Sequence, residues 1–214
     1  MKALFAAVVS IALLSGAAAQ AQELSREQAV RELSKADTKL RRDAASRLGE
    51  VGTMADATLL VKALRDADED VRERAEQALW RIWARSGDQE VDKLYQVGVE
   101  QMSAGDLRQS IATFTRIIEL KPEFAEGWNK RATLYFLVDD LRKSLADCDE
   151  VIKRNPIHFG ALAGYAQIYV RLGYYDRALE YSRRALKVNP NMVGVRRNIE
   201  LLEHRVEQRR KQMI

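Results

Sequence analysis

The sequence is poor in the residues that most often carry chemistry or cross-link small folds. Its 214 residues include one cysteine, two histidines, three prolines and eleven glycines. A single cysteine excludes an intrachain disulfide framework and a multi-cysteine zinc site. So few glycines and prolines argue against a turn-dense β-sandwich or barrel. The chain is instead rich in Ala, Leu, Glu, Arg and Lys, with 47% hydrophobic and 31% charged residues, and this composition predicts an all-α fold.

Residues 1–21 have the form of an export signal. Lys2 precedes the apolar run ALFAAVVSIALL, and small residues that suit a cleavage site follow at 17–21. The apolar run is shorter than the roughly 18–20 residues that a membrane span needs. The short, alanine-rich form resembles Gram-negative export signals. We therefore predict a cleaved signal peptide, a periplasmic protein rather than a secreted one, and no stable membrane anchor.

The charge balance is mild, with a formal net charge of +4. Such an even balance argues against a nucleic-acid partner. The basic excess collects near the C-terminus, at Arg205, Arg209, Arg210 and Lys211. A solvated helix end explains this cluster, and the alternative is a site for an anionic polymer or lipid headgroup.

The three prolines reveal an internal period. Pro122, Pro156 and Pro190 are 34 residues apart. The same offset relates three further sets of positions: Gly98, Ala132 and Ala166; Gly105, Asp139 and Gly173; Ser110, Ser144 and Ala178. Each unit is predicted to contain a helix with a small residue at a close approach, a turn, a second helix and a proline that ends it. Since such units cannot bury their apolar faces alone, the period predicts a stack of helical hairpins.

This pattern resembles the tetratricopeptide repeat, with units at about 91–124, 125–158 and 159–192. Trp128, Tyr135 and Pro156 in the second unit stand where that family has its Trp, Tyr and Pro. Cys148 and Ser182 depart from it, because Phe is usual there. The resemblance implies a right-handed α-solenoid over residues 88–192. A stripe of apolar residues at 3–4 spacing predicts a capping helix over 193–214: Val195, Ile199, Leu202 and Val206.

A second period of 31 residues governs the N-terminal part. It relates Asp37 to Asp68, Leu40 to Val71, Arg41 to Arg72, Ala44 to Ala75 and Leu48 to Leu79. The pattern resembles HEAT-like repeats of the lyase-associated type, and we assign it to a module over 22–86. Each Asp is expected to cap a helix. Trp80 and Trp83 precede the boundary at Ser86–Asp88, and we expect them to pack at the junction rather than to stack on a ligand.

The search for catalytic motifs finds no phosphate loop, dinucleotide fingerprint, zinc-protease signature or nucleophile elbow. We expect His158 to be a polar turn residue, His204 to be solvated and Cys148 to be a small buried side chain. The acidic residues Asp139, Asp140, Asp147 and Asp149 are expected on solvated faces. The sequence therefore predicts a protein that is not an enzyme and that holds no cofactor and no metal.

The resemblance to the tetratricopeptide repeat implies a concave groove lined by the first helix of each unit. Eight residues are expected there: Tyr95, Val99, Met102, Asn129, Thr133, Phe136, Gln167 and Val170. Phe136 and Met102 could equally pack between helices. The subclass that clamps a C-terminal carboxylate is not matched, because only Arg131 fits its pattern. We therefore expect an adaptor of the bacterial envelope that holds a peptide or helix of a protein partner. The alternative function is an envelope ligand binder that uses the basic C-terminal helix on an anionic polymer or lipid headgroup. Self-association is compatible with both functions.

Overall fold

A computed structural model describes residues 23–212, and this part contains eleven α-helices and no strand. The helices are α1 Arg26–Glu32, α2 Thr38–Val51, α3 Ala57–Ala63, α4 Glu69–Trp83, α5 Gln89–Ser103, α6 Leu107–Leu120, α7 Ala125–Leu137, α8 Leu141–Arg154, α9 Phe159–Arg171, α10 Tyr175–Val188 and α11 Val193–Gln212. The predicted all-α solenoid class is confirmed. The predicted signal peptide over 1–21 lies outside the described residues. Within the described part, no helix is both long and apolar enough to cross a membrane.

Helices α1 to α4 form two hairpins, which we call the N-terminal hairpins. Their structure repeats with the 31-residue period. Asp37 and Asp68 each accept a hydrogen bond from a backbone N–H of the helix that follows, at 3.2 and 3.0 Å. The guanidinium of Arg41 bonds the carbonyls of residues 35 and 36, and that of Arg72 bonds the carbonyls of residues 66 and 67. Both predicted helix caps are confirmed.

Helices α5 to α10 form three hairpins, which we call the repeat array. They correspond in order to the three predicted units, whose bounds stay predictions. Each intra-hairpin turn contains a residue in the left-handed region, and these residues are 34 apart: Gly105 at φ 84°, Asp139 at φ 64° and Gly173 at φ 77°. Glycine adopts this conformation without a steric penalty, and Asp is one of the few other residues that tolerates it.

Close contact within the hairpins depends on the small residues of the pattern. Ser110 Oγ donates to the Gly98 carbonyl, and Ser144 Oγ donates to the Ala132 carbonyl, each at 2.8 Å. A Cβ at Gly98 would lie 2.7 Å from the ring of Phe114, so this hairpin closes only around a glycine. In the second unit Cys148 replaces that phenylalanine, and an alanine fits opposite it. The departures from the repeat pattern are therefore compensated within each hairpin.

Helix α11 packs on α10 and covers the end of the array. Leu202 and Val206 are 4% and 8% exposed, while Glu200, Glu203 and Glu207 lie in solvent. The predicted apolar stripe is confirmed where it is described. The side chains of Arg209 and Arg210, which belong to the predicted basic cluster, lie outside the described residues.

The N-terminal hairpins also contact the links between units of the repeat array. The ring of Trp83 stacks on His158 at 4.4 Å, and Trp80 meets Phe159 edge-on at 5.1 Å. One link further along, Asn189 Nδ2 donates to Glu76 of α4 at 2.9 Å. Packing of both tryptophans at the junction is confirmed, and the contacts reach the second and third links of the array.

Candidate functional site

The second and third units line a groove together with α11. Its main part is a cavity of about 510 Å³. Phe136 of α7 and Gln167 and Val170 of α9 line one side, and Leu201 and Arg205 of α11 line the other. Val170 and Leu201 are 41% and 60% exposed, so apolar surface is open to a ligand here.

A smaller cavity of about 60 Å³ continues the groove between α7 and α9. Asn129, Thr133, Phe136 and Gln167 all line it, and the last two also line the larger cavity. The structure therefore brings five of the eight predicted groove residues to one surface. Phe136 is half-buried, and the guanidinium of Arg171 lies 4.9 Å from the centre of its ring.

The three predicted groove residues of the first unit lie elsewhere. Tyr95 is only 6% exposed and meets the rings of Phe114 and Phe124 edge-on, each at 5.9 Å. The assignment of Tyr95 as a groove anchor is wrong, because its ring fills the core between α5, α6 and the first link. Val99 and Met102 are half-buried against the same core cluster and line neither cavity of the groove.

A buried polar cluster adjoins the groove at Asn129, and no sequence motif predicted it. Glu126 is 2% exposed, and its carboxylate accepts hydrogen bonds from Asn129 Nδ2 at 3.2 Å. Lys130 Nζ lies 3.3 Å from the same carboxylate, and His158 Nε2 lies 2.9 Å from it. The Asn129 amide is therefore already bound to Glu126. The Gln167 amide, by contrast, is exposed and does not belong to that cluster.

His158 is not the polar turn residue that we expected. It is 0% exposed and caps α9, where its Nδ1 accepts the N–H of Ala161 at 3.0 Å. Since Nδ1 is an acceptor, the ring proton is on Nε2, which donates to Glu126. Burial raises the pKa of Glu126, but the bond from His158 and the charge of Lys130 outweigh it, so this pKa lies below its ordinary value.

A second buried ion pair corrects the expectation for Asp147. This carboxylate is 4% exposed and receives two bonds from Arg131, each at 2.8 Å. Arg131 occupies a position where the repeat usually has Leu, and its charge requires a partner on the facing helix. Because Arg131 also donates to Thr115 Oγ1 of α6 at 3.0 Å, its guanidinium is occupied by contacts within its own hairpin and with the preceding one.

The remaining candidates show little sign of reactivity. Cys148 is 2% exposed, and burial raises the pKa of its thiol to about 12, so it is the small buried side chain that we expected. Arg205 donates to the hydroxyl of Tyr175 at 3.2 Å, and Lys211 pairs with Glu207 at 2.6 Å. Among residues 23–212, no group of three or more His, Cys, Asp or Glu residues is arranged to hold a metal ion.

Comparison with known proteins supports the interpretation of the period. The family model of the tetratricopeptide repeat matches residues 160–192, which span α9 and α10. Residues 160–192 are therefore similar to a tetratricopeptide repeat. A TPR repeat-containing protein of Rhizobium etli is 32% identical over 126 residues, which are 59% of this chain and 62% of that protein. Hsp70-Hsp90 organizing protein 1 of Glycine max is 25% identical over 113 residues, 51% of this chain. The match covers only 20% of the soybean protein.

Solved structures with tetratricopeptide repeats share the fold. The first TPR of Spaghetti (RPAP3), bound to an HSP90 peptide, superposes with a TM-score of 0.54 at 18% identity. That match covers 56% of this chain and 94% of the other. MamA superposes with a TM-score of 0.52 at 18% identity, over 62% of this chain and 77% of the other. These likenesses establish a helical-hairpin solenoid for more than half of the chain.

Proposed function

We propose that the protein is a non-enzymatic adaptor that holds a segment of a partner polypeptide in the groove between α7, α9 and α11. The observation that carries the proposal is the cavity of about 510 Å³, whose walls include the exposed apolar side chains Val170 and Leu201. Exposed apolar side chains gathered in a concave surface are typical of a binding site rather than of an ordinary solvated face.

The lining indicates what kind of segment would bind. Phe136, Val170 and Leu201 offer apolar surface for one or two anchor side chains. The exposed amide of Gln167 is able to donate to and accept from a backbone peptide group. An amphipathic helix or an extended segment with spaced apolar anchors satisfies both requirements. The first TPR of RPAP3, which is bound to an HSP90 peptide, supports peptide binding by similarity of fold.

The location and the N-terminal hairpins complete the proposal. The export signal that we assign to residues 1–21 favours the bacterial envelope, and in particular the periplasm. The period of 31 favours a HEAT-like origin for the N-terminal hairpins. Their contacts with two links of the repeat array support a role in bracing the array while the groove stays open.

Site-specific crosslinking in living cells tests the proposal. A photoreactive amino acid would replace Val170 in the groove, and a matched variant would carry it at Val97, an equally exposed valine on α5 outside both groove cavities. We expect a discrete crosslinked protein from position 170 alone. The same products from both positions, or none from position 170, would refute the proposal.

A further inference from the structure

A cavity separate from the groove lies where the N-terminal hairpins meet the first two links of the repeat array. Its volume is about 320 Å³. Met54, Phe124 and Ala125 supply apolar wall, and Trp83 and Asn155 also line it. None of these residues lines the groove, so the two sites are separate. A volume near 300 Å³ is at the lower end for small-molecule sites and suits a group about the size of one amino-acid residue.

Three polar atoms of the lining residues have no hydrogen-bond partner. They are Nε1 of Trp83 and both Nδ2 and Oδ1 of Asn155. The two residues are 3% and 2% exposed, so bulk water does not compensate for the missing bonds. A buried polar group without a partner typically costs about 1–3 kcal/mol, and such groups are rare in folded proteins.

The repeat itself provides a comparison for Asn155. Asn189 is its equivalent 34 residues later, and both precede a proline at the end of a second helix. Asn189 Nδ2 donates to Glu76 at 2.9 Å, and its Oδ1 accepts the N–H of Asn191 at 3.0 Å. The tryptophans differ in the same way, because Trp128 Nε1 donates to the Pro122 carbonyl at 2.9 Å. Asn155 and Trp83 therefore lack the partners that Asn189 and Trp128 have.

The unpartnered atoms specify the chemistry of a ligand. Asn155 has one unpartnered donor and one unpartnered acceptor side by side, and Trp83 adds an unpartnered donor. A peptide-type amide is complementary to these three atoms, since its carbonyl accepts from Nδ2 or Nε1 and its N–H donates to Oδ1. The apolar wall favours an amide that carries an apolar side chain.

Charge contributes little selection at this site. Lys121 lies 3.7 Å from Glu123, and Arg154 is bound to Glu150, so these cations of the lining are already paired. The remaining cation, Arg85, donates to the carbonyls of Gly49 and Gly52 at 2.7 and 2.6 Å. An uncharged amide is consequently the ligand of choice.

We propose that this cavity is a second binding site, which takes a peptide-type amide bearing an apolar side chain. The amide comes either from a small acylated amino acid or from a segment of a polypeptide. The site is independent of the groove, and its failure would leave the proposed function intact.

Titration of the full chain with N-acetyl-L-leucinamide, followed by NMR of the tryptophan indole N–H groups, tests the proposal. We expect a saturable shift of the Trp83 signal, with the Trp128 signal unchanged because its indole N–H is already bonded. Trp83→Phe assigns the signal by removing it. A blocked tetrapeptide with a central leucine distinguishes the sources: tighter binding indicates a polypeptide, and binding of the small amide alone indicates a small molecule.

Asn155→Leu is the decisive variant, because it removes the unpartnered amide with little change of volume. Loss of the amide should weaken binding of the probe about tenfold. Asn189→Leu is the matched control and should leave the shift of the Trp83 signal unaltered. If Asn155→Leu does not fold, Met54→Glu at the rim, where the side chain is 49% exposed, should weaken binding instead. No saturable shift would show that ordered water alone fills the cavity. Unchanged binding by both the Asn155→Leu and the Met54→Glu proteins would show that the probe binds elsewhere, and either result would overturn the proposal.

Discussion

The N-terminal hairpins and the repeat array both use polar side chains to join successive hairpins, but these side chains differ in exposure. Between the N-terminal hairpins, arginines of α2 reach carboxylates of the next hairpin that stay partly exposed: Arg41 binds Asp66 at 2.7 and 2.8 Å, and Arg42 binds Asp68 at 2.8 Å. In the repeat array the equivalent polar contacts are buried. Glu126 of α7 and His158, which caps α9, join successive hairpins at 2.9 Å with almost no exposure.

The difference between the two regions has an energetic consequence. A solvated ion pair contributes little to stability, because water already solvates both charges. A buried charge that loses its partners keeps the full cost of desolvation. Stability should therefore depend more on Glu126 of the repeat array than on Arg41 or Arg42 of the N-terminal hairpins, whose ion pairs stay partly solvated.

The largest effect is expected from Glu126→Ala. This change leaves Lys130, Asn129 and His158 without their common acceptor inside the protein. The free energy of unfolding should fall by about 3–5 kcal/mol. Glu119→Ala is the control, since Glu119 is an exposed carboxylate on α6, and it should cost no more than about 0.5 kcal/mol. Equal losses in urea titrations of the two proteins would contradict a central role for the buried cluster.

The same carboxylate predicts a dependence of stability on pH. The pKa of Glu126 is lowered from its ordinary value of 4.5, so folding favours the ionised form. Its contribution is fully present above about pH 4.5 and is lost as the pH falls through the lower pKa of the folded state. The difference in unfolding free energy between the wild type and Glu126→Gln should therefore be largest near neutral pH and should shrink in acid. A constant difference down to pH 3 would contradict this assignment.

A smaller effect is expected at the tight contact of the first hairpin. Gly98→Ala places a methyl group 2.7 Å from the Phe114 ring, and overpacking of this kind costs about 1–3 kcal/mol. The gain of helix propensity, up to about 1 kcal/mol, offsets part of that cost. In a Phe114→Cys background, which copies the pairing of Ala132 with Cys148, the same change should stabilise the protein. A double-mutant cycle measures the coupling, and purely additive effects would show that the two side chains do not interact.

Periodicity predicted most of the fold, because it reports the backbone and the small residues that every unit shares. The turns at Gly105, Asp139 and Gly173 and the caps at Asp37 and Asp68 all follow from it. Such features depend on local geometry, which each copy of a repeat reproduces.

The candidate site was predicted only in part, because it depends on differences between the units. Tyr95 is buried since the first unit supplies Phe114 and Phe124 as neighbours, which the other units lack. The bond between Glu126 and His158 joins residues 32 apart, and neither stands at a position that the repeat pattern marks. The repeat period also could not predict the unpartnered amide of Asn155, because its equivalent Asn189 has partners.

The smallest effect is expected from Arg41→Lys in the N-terminal hairpins. Lysine keeps the charge but cannot form the two parallel bonds that the guanidinium makes to Asp66. The melting temperature should fall by less than in Gly98→Ala, and the deficit should narrow slightly at high salt, because salt screens this partly buried ion pair only in part. Arg72→Lys is the matched control, since Arg72 stands at the same place in the other hairpin but bonds only the carbonyls of residues 66 and 67. Its deficit should not respond to salt. A loss in Arg41→Lys as large as that in Glu126→Ala would reverse the comparison, and would place the main stabilising contacts between the N-terminal hairpins.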